Sequence, residues 1–192
     1  MILTSDQRQV IIGTLLGNGF LEAADGIYLV MRSRDPEWLA SKAKVLADLE
    51  QTVWTSRSNY YWRSKADPLF EEFDALCYDG DRKAARMECL DALKNIGLMT
   101  WYGDIGCLVG RQRRNACLRT QAFGLSTETA LRYFNEVGLP CRINRVRHSP
   151  VLVFSLDGTE RLMKIISPVL PKNRYYLVPG YQEKPYSQYT SG

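Results

Sequence analysis

GTLLGNG, the stretch at residues 13–19, lies at the end of a predicted helix that begins near Ser5. Apolar residues before and within it recur with helical spacing, and Thr4 or Ser5 can cap the start of the helix. Gly13 and Gly17 are four residues apart and therefore share one helical face, although each weakens a helix by about 1 kcal/mol relative to alanine. Because glycine has no side chain, this pattern predicts that another backbone packs very closely against that face.

A second stretch, IGLMTWYGDIG at residues 96–106, repeats this plan. It is also an apolar helix candidate with small residues and a glycine at its end, and a short apolar segment follows each stretch. The similar context at a fixed offset indicates an internal duplication. Aligning the final glycines, Gly19 and Gly106, pairs Gly13 with Thr100, Gly17 with Asp104, and Asn18 with Ile105.

The two stretches resemble the signature helices of the LAGLIDADG homing endonucleases. GTLLGNGFLE is similar to the first signature helix, which usually ends Gly-Asp-Gly, and LMTWYGDIG is similar to the second. RTQAF at residues 119–123 resembles the strand-to-helix segment after that motif, and IISPVLP at residues 165–171 resembles the end of the closing helix. The resemblance covers residues 4–177. It implies an α+β fold with two pseudo-symmetric αββαββα halves, a central pair of helices and a basic β-saddle.

Length and composition are those of an ordinary globular chain. Its 192 residues, 45% hydrophobic and 24% charged, suffice for one core or two small fused ones. We predict a first half at residues 1–84, a second half at 85–178 and a loosely ordered tail at 179–192. No apolar run approaches the ~20 residues of a membrane span, which predicts a chain without membrane contact.

The cysteines and the single histidine limit the chemistry that the chain can perform. Five cysteines without C-x-x-C spacing predict reduced thiols in the cytoplasm, and one histidine makes a zinc site a poor explanation. The cysteines are best explained as small core residues. Cys107, directly after the second stretch, could instead be a reactive thiol, but no histidine lies near it in sequence to activate it.

Arginine and polar residues recur on the predicted strands. The β-branched and aromatic content of residues 52–65 favours a strand or a hairpin. In one extended strand, Thr55 and every second residue to Lys65 face one side, and Trp54 and Trp62 face the other. Arginine can contact phosphates or guanine edges, and asparagine can pair with adenine edges. A solvated surface would explain any one arginine, but the set on successive strands favours double-stranded DNA. The predicted DNA contacts are Arg32, Arg34, Arg57, Asn59, Tyr61, Arg63, Lys65, Arg111, Arg113, Arg114, Arg119, Arg145 and Arg147.

Asn18 and Ile105 occupy the positions that matter most for chemistry. In the family that the chain resembles, an acidic residue stands at each of these positions, and the two acids hold divalent metal over the scissile phosphates. Asn18 offers only a neutral oxygen and Ile105 offers none, so the sequence predicts no catalytic residue, metal or other cofactor. Asp104 and Glu22 lie nearby but are displaced, and one residue on a helix is a rotation of about 100°. Asn18 could have been introduced in the laboratory, which would leave Ile105 unexplained.

Three functions are compatible with these observations. The missing acids favour a monomer that binds specific duplex DNA without cleaving it and represses transcription by occupying its site, encoded by a phage or another mobile element. The second possibility is an active homing endonuclease that holds Mg²⁺ through Asp104 or Glu22. The third is an intron RNA-splicing maturase, since the same basic saddle could bind RNA.

Overall fold

The computed structural model describes residues 2–120, 126–146 and 148–181, and of Arg111 and Val146 it describes the backbone alone. Three predicted features therefore lie wholly or partly outside the described residues. They are part of the segment at 119–123, the DNA contact predicted for Arg147, and most of the tail at 179–192.

The same order of elements, αββαββα, occurs twice along the chain. The first occurrence comprises α1 (Ser5–Leu16), β1 (Phe20–Ala23), β2 (Ile27–Ser33), α2 (Pro36–Val45), β3 (Glu50–Ser56), β4 (Asn59–Ser64) and α3 (Phe70–Cys77). A connecting segment follows, with β5 (Tyr78–Asp79), β6 (Arg82–Lys83) and α4 (Met87–Asp91). The second occurrence comprises α5 (Asn95–Ile105), β7 (Gly106–Val109), β8 (Asn115–Arg119), α6 (Thr127–Glu136), β9 (Cys141–Val146), β10 (Ser149–Phe154) and α7 (Leu156–Ile166). Short 3-10 helices lie at Ala47–Leu49, Arg111–Arg113 and Lys172–Leu177.

Helix α1 begins as its sequence predicts. The Thr4 hydroxyl accepts a hydrogen bond from the Gln7 amide, and the Gln7 side chain accepts one from the Thr4 N–H. This reciprocal pair satisfies two backbone donors that a helix start otherwise leaves without partners.

The connecting segment is interrupted before α5. Its sequence predicts one helix from Ala84 to Asn95 that leads into the second stretch, but α4 spans only Met87–Asp91. The reason is Gln9 of α1, whose side-chain amide donates to the Ala92 carbonyl at 2.8 Å and accepts from the Lys94 N–H at 2.6 Å. These bonds hold the backbone in a break between α4 and α5, so the two segments cannot form one helix.

Two four-stranded antiparallel sheets have equivalent strand orders, β1-β2-β4-β3 and β7-β8-β10-β9. One face of each sheet packs against the helices, with Met31 and Trp62 buried under the first sheet and Leu118 and Phe154 under the second. A continuous hydrophobic core contains residues of both repeats. The boundary predicted at residue 84 stays a prediction.

Helices α1 and α5 pack against each other at the centre of this core. A Cβ atom added at Gly13 would lie 2.7 Å from the Thr100 Cβ, and one added at Gly17 would lie 2.5 Å from Asp104 Oδ2. The glycines therefore face the positions with which the repeat alignment pairs them. The predicted close approach of the two signature helices is confirmed.

The ends of the described chain add two observations. Residues 179–181 are the described part of the predicted tail, and the Tyr181 ring contacts the Tyr175 ring edge-on at 5.7 Å between centroids. Within the described ranges, none of the helices combines the length and apolar character needed to cross a bilayer.

Candidate nucleic-acid interface and the ends of the central helices

The outer face of the first sheet is the face turned away from the helices. The β3–β4 hairpin pairs Trp54 with Tyr61, and their rings stack at 5.0 Å between centroids with an interplanar angle of 8°. The assignment of Trp54 and Tyr61 to opposite faces is therefore wrong, because directly paired residues of an antiparallel hairpin point to the same face. Thr55 pairs with Tyr60 and lies on the other face.

Arg32 and Arg63 both lie on this outer face but differ in their contacts. Arg32 is exposed and pairs across the strands with Tyr61. The Arg63 guanidinium lies 3.7 Å from the centroid of the Tyr28 ring, and its Nε lies 3.0 Å from Glu22 Oε2. Arg63 is therefore held by the sheet, whereas Arg32 is free to contact a ligand.

The remaining predicted contacts of the first repeat lie at strand ends and at a turn. Arg57 occupies the β3–β4 turn at φ 56°, an uncommon conformation for a residue with a side chain. Asn59 pairs with Ser56 beside this turn and is partly buried. Arg34 and Lys65 lie just beyond β2 and β4 and are exposed.

The second sheet presents a different set of residues from the predicted one. Arg119 is exposed at the end of β8 and pairs with Val151, which pairs in turn with Asn144 of β9. Asn144 and Arg142 therefore share the outer face with Arg119, although neither was predicted from the sequence. Arg145 pairs with Pro150 and therefore lies on the face opposite to that of Arg119, so its predicted contact with DNA stays a prediction.

The loop between β7 and β8 carries further cations. Arg113 and Arg114 are exposed there, and Arg113 and Gln112 have positive φ angles of 51° and 67°. His148, in the β9–β10 turn, also has a positive φ, of 69°. Uncommon backbone conformations of this kind persist where the surrounding structure enforces them, often at functional sites. The Arg111 side chain lies outside the described part.

The arginines of the outer sheet faces differ from most other arginines in how they are paired. Away from the outer sheet faces, acidic residues accompany most of the described arginines and some of the lysines. The pairs are Arg8–Glu72, Arg86–Asp79, Arg132–Glu136, Arg161–Asp157 and Lys164–Glu160. Arg63 is the exception among the cations of the outer sheet faces, their turns and their strand ends. Among residues 2–120, 126–146 and 148–181, the other cations at these places form no ion pair. The cations there without a carboxylate partner are Arg32, Arg34, Arg57, Lys65, Arg113, Arg114, Arg119 and Arg142.

The ends of α1 and α5 meet at Asp104, whose side chain is fully buried. Its Oδ1 accepts from Lys42 Nζ at 2.7 Å and from Trp38 Nε1 at 2.6 Å. Its Oδ2 accepts from the Asn18 N–H at 3.0 Å, and Asn18 Nδ2 donates to the Asp104 backbone oxygen at 2.8 Å. Both carboxylate oxygens are thus committed to donors within the chain.

Helix α2 supplies the two side chains that hold this carboxylate. Trp38 and Lys42 are four residues apart and therefore lie on one helical face. Gly103 makes room for the indole, because a Cβ atom at that position would lie 2.5 Å from Trp38 Cζ2. Burial lowers the pKa of the Lys42 ammonium, while the Asp104 carboxylate acts in the opposite direction.

A second lysine lies at the end of α1. Lys83 of β6 donates to the Gly17 carbonyl oxygen at 2.9 Å, where a cation complements the negative end of the helix dipole. Burial lowers its pKa to about 8, against the attraction of Asp104. Two ammonium groups therefore lie close to the Asp104 carboxylate.

Comparison with known proteins agrees with this geometry. The model of the LAGLIDADG DNA endonuclease family matches residues 8–162. The chain belongs to that family. The structure of the homing endonuclease I-WcaI bound to its DNA recognition sequence is similar, with a TM-score of 0.83 at 14% identity over 93% of this chain and 88% of that one. I-DmoI in complex with DNA and Ca is also similar, with a TM-score of 0.60 at 15% identity over 90% and 97% of the two chains.

The chain is also similar in sequence to a curated protein. Protein RecA of Mycobacterium shimoidei is 28% identical over 207 aligned residues, which include 94% of this chain. The match spans 48% of the relative, about half its length. The match therefore concerns a part of that protein rather than the whole.

The LAGLIDADG family implies a divalent metal between the two helix ends, and the residues present do not fit one. Hard cations are bound by several oxygens, mostly from carboxylates. Asn18 lies at the end of α1 with its amide nitrogen bonded to Asp104, and Ile105 packs against the core. Asp104 already neutralises Lys42, and Glu22 is paired with Arg63. Within the described ranges, no group of three or more His, Cys, Asp or Glu residues is placed to hold a metal ion.

Proposed function

We propose that this chain binds specific double-stranded DNA without cleaving it and represses transcription by occupying its site. The observation that carries the proposal is a contrast between two sets of arginines. Within the described residues, the arginines on and around the outer sheet faces have no acidic partner apart from Arg63, whereas most arginines elsewhere are paired with one. Unpaired arginines beside amide and aromatic side chains are the groups that contact phosphates and base edges. The DNA bound to the similar structure of I-WcaI supports the same ligand.

The proposed site is asymmetric and is read by a monomer. The outer face of the first sheet presents Arg32 with the stacked Trp54 and Tyr61, whereas that of the second presents Arg119, Arg142 and Asn144. Because the two faces differ in their side chains, they would read different half-sites.

The absence of cleavage follows from the charges at the helix ends. Metal-dependent hydrolysis of DNA needs a cation to activate water and to stabilise the leaving oxygen. Here the buried carboxylate of Asp104 is bound to Lys42, and Lys83 brings a further positive charge. A divalent cation would have to displace or neutralise these groups. The proposal therefore needs neither Mg²⁺ nor another cofactor.

Repression by occupancy needs no further chemistry. Specific DNA affinities are typically ~10⁻⁸ to 10⁻¹¹ M at physiological salt, which is tight enough to obstruct a promoter. The same surface would serve an endonuclease or an RNA-splicing maturase, so the experiments must separate binding from cleavage and DNA from RNA.

The binding experiment begins with selection of sites from randomised duplex DNA and measures affinity over a range of salt concentrations. Replacing Arg32 and Arg142 together by alanine should lower the slope of log affinity against log salt by about 0.9 for each phosphate that the variant no longer binds. The matched control replaces Arg132 and Arg161, two arginines paired within helices. Equal reductions in both variants, equal competition by random DNA, or tighter binding of structured RNA would contradict the proposal.

The second experiment tests cleavage and use on the selected site. The protein should leave this DNA intact in Mg²⁺ or Mn²⁺, and a reporter with the site at its promoter should be repressed. Repression should be lost in the Arg32→Ala/Arg142→Ala variant and kept in the Arg132→Ala/Arg161→Ala control. Double-strand breaks at the site would establish the endonuclease instead, and unchanged reporter output at proven occupancy would exclude repression.

A further inference from the structure

Cys107 and Cys117 lie directly opposite each other in the β7–β8 hairpin. Cys117 is buried and Cys107 is partly exposed. With Val151 and Val153 they form a small apolar cluster, separate from the main core, on the outer face of the second sheet. The pair therefore lies on the surface to which we assign DNA binding.

The strand register brings the two thiols close enough for a disulfide. Directly opposed residues of antiparallel strands have Cα atoms about 4.5 to 5.5 Å apart, within the range of roughly 4.4 to 6.8 Å seen in disulfides. The two side chains point to the same outer face of the sheet, as those of directly opposed residues do. A bond between them would link two strands that are already paired.

The surroundings of Cys107 favour its thiolate. The hydrogen bond from Cys117, the charge of Arg119 and a hydrogen bond to Arg119 lower the pKa of the Cys107 thiol to about 6, although burial opposes them. Arg113 adds a smaller effect in the same direction. Thiolates rather than thiols are the nucleophiles of cysteine chemistry. The hydrogen bond to Cys107 and burial raise the pKa of Cys117, which keeps its proton as the donor.

The other cysteines provide a contrast within the same chain. Cys77 and Cys89 are both buried, with their sulfur atoms 3.1 Å apart, and the hydrogen bond to Cys77 together with burial raises the pKa of Cys89. Burial raises the pKa of Cys141 to about 12. The Cys77 and Cys89 sulfurs are also close together, but both residues are buried and no arginine shifts the pKa of Cys89, so this pair is a natural control.

We propose that Cys107 and Cys117 are a peroxide-oxidisable thiol pair and that their oxidation strengthens DNA binding. The Cys107 thiolate attacks one oxygen of hydrogen peroxide, the O–O bond breaks, and hydroxide leaves and takes up a proton to become water. The Cys117 sulfur then attacks the resulting sulfenic acid, the S–O bond breaks, and a second water leaves with the Cys117 proton. The two sulfurs lose two electrons in total, and the peroxide gains them.

The effect on DNA follows from the charge beside Arg119 and rests on the proposed function. In the reduced protein the Cys107 thiolate partly neutralises Arg119. The disulfide carries no charge and frees the guanidinium for a phosphate. One added phosphate contact raises the salt slope by about 0.9, which corresponds to roughly fivefold tighter binding near 0.15 M salt.

To test the thiol pair, the full chain is treated with hydrogen peroxide, the remaining thiols are alkylated, and the protein is digested with trypsin. Cys107 and Cys117 fall on different tryptic peptides, because Arg111 and Arg114 lie between them. We expect a linked pair of these peptides, absent in the Cys107→Ser and Cys117→Ser variants, while Cys77 and Cys89 are alkylated. A Cys107 that stays reduced, or that reacts without linking to Cys117, would overturn the assignment.

Gel-shift titration of the oxidised and reduced proteins tests the second half of the proposal. Tighter binding after oxidation, abolished by Cys117→Ser, supports it, and equal affinities would overturn the link to DNA. If neither form binds DNA, the proposed function and this link both fail, whereas the peptide linkage still decides whether the thiol pair exists.

Discussion

The buried ion pair of Lys42 and Asp104 makes the stability of the helix pair depend on one carboxylate. The substitution Asp104→Asn keeps the shape of the side chain but removes its charge and one of the two oxygens that accept from Lys42, Trp38 and Asn18. Breaking a buried pair by removing one partner costs about 3–5 kcal/mol, because the remaining charge stays buried without compensation. For a chain of this length, that loss corresponds to a fall in Tm of about 6–20 °C.

Thermal unfolding followed by circular dichroism measures this loss, with Asp157→Asn as the matched control. Asp157 pairs with Arg161 at the surface, where the same substitution should change the free energy of unfolding by at most about 1 kcal/mol. The double variant Lys42→Met/Asp104→Asn should recover most of the stability, because it leaves no unpaired charge in the core. Equal small losses in Asp104→Asn and Asp157→Asn would refute the assignment of Asp104 as a structural counter-ion.

Three further predictions concern other parts of the molecule. Gly13→Ala should lower Tm, because overpacking against α5 costs about 1–3 kcal/mol and the gain in helix propensity is only roughly 1 kcal/mol. In the control Lys44→Ala, the replaced side chain is exposed on α2, so Tm should change little. The pKa of Lys83 is lowered to about 8 in the folded chain, against about 10.4 in the unfolded chain, so the unfolded chain binds more protons between these two pH values. The free energy of unfolding should therefore rise with pH in this range, and it should rise less steeply in Lys83→Met. Trp54 is 37% exposed and the other three tryptophans are at most 1% exposed, so Trp54→Phe should remove most of the fluorescence that acrylamide quenches. Quenching that this substitution leaves unchanged would contradict the exposed position of Trp54.

The central helix pair could be predicted because its signals are local. The spacing of Gly13 and Gly17 defines a helical face, and the repeated stretch supplies the partner that contacts it. The role of Asp104 could not be predicted in this way. Its partners Trp38 and Lys42 lie 66 and 62 residues away in sequence, so the sequence leaves Asp104 as a displaced candidate ligand until the fold brings α2 to it.

The assignment of residues to sheet faces failed where it depended on a turn. Side chains alternate between the two faces along a strand. When residues 52–65 are counted as one strand, the alternation continues through the turn at Arg57, and Thr55 is assigned to the face of Tyr61. The hairpin instead pairs Trp54 with Tyr61. On β9 a signal was present: Cys141 and Ile143 are apolar and alternate with Arg142 and Asn144. That alternation predicts the core face and would have assigned the outer face correctly.

The centre between the helix ends differs from a metal site in more than two missing acids. An aspartate at position 18 would add a carboxylate beside Asp104, but Lys42 and Lys83 would remain within the same charge environment. The new carboxylate would lower its free energy most easily by pairing with Lys83, whose ammonium already lies at the end of α1. Ile105 would still provide no oxygen for a metal. Building a metal site would therefore require changes to the lysines and to Ile105 together with Asn18, so Asn18→Asp alone should give no cleavage of the selected DNA in Mg²⁺ or Mn²⁺.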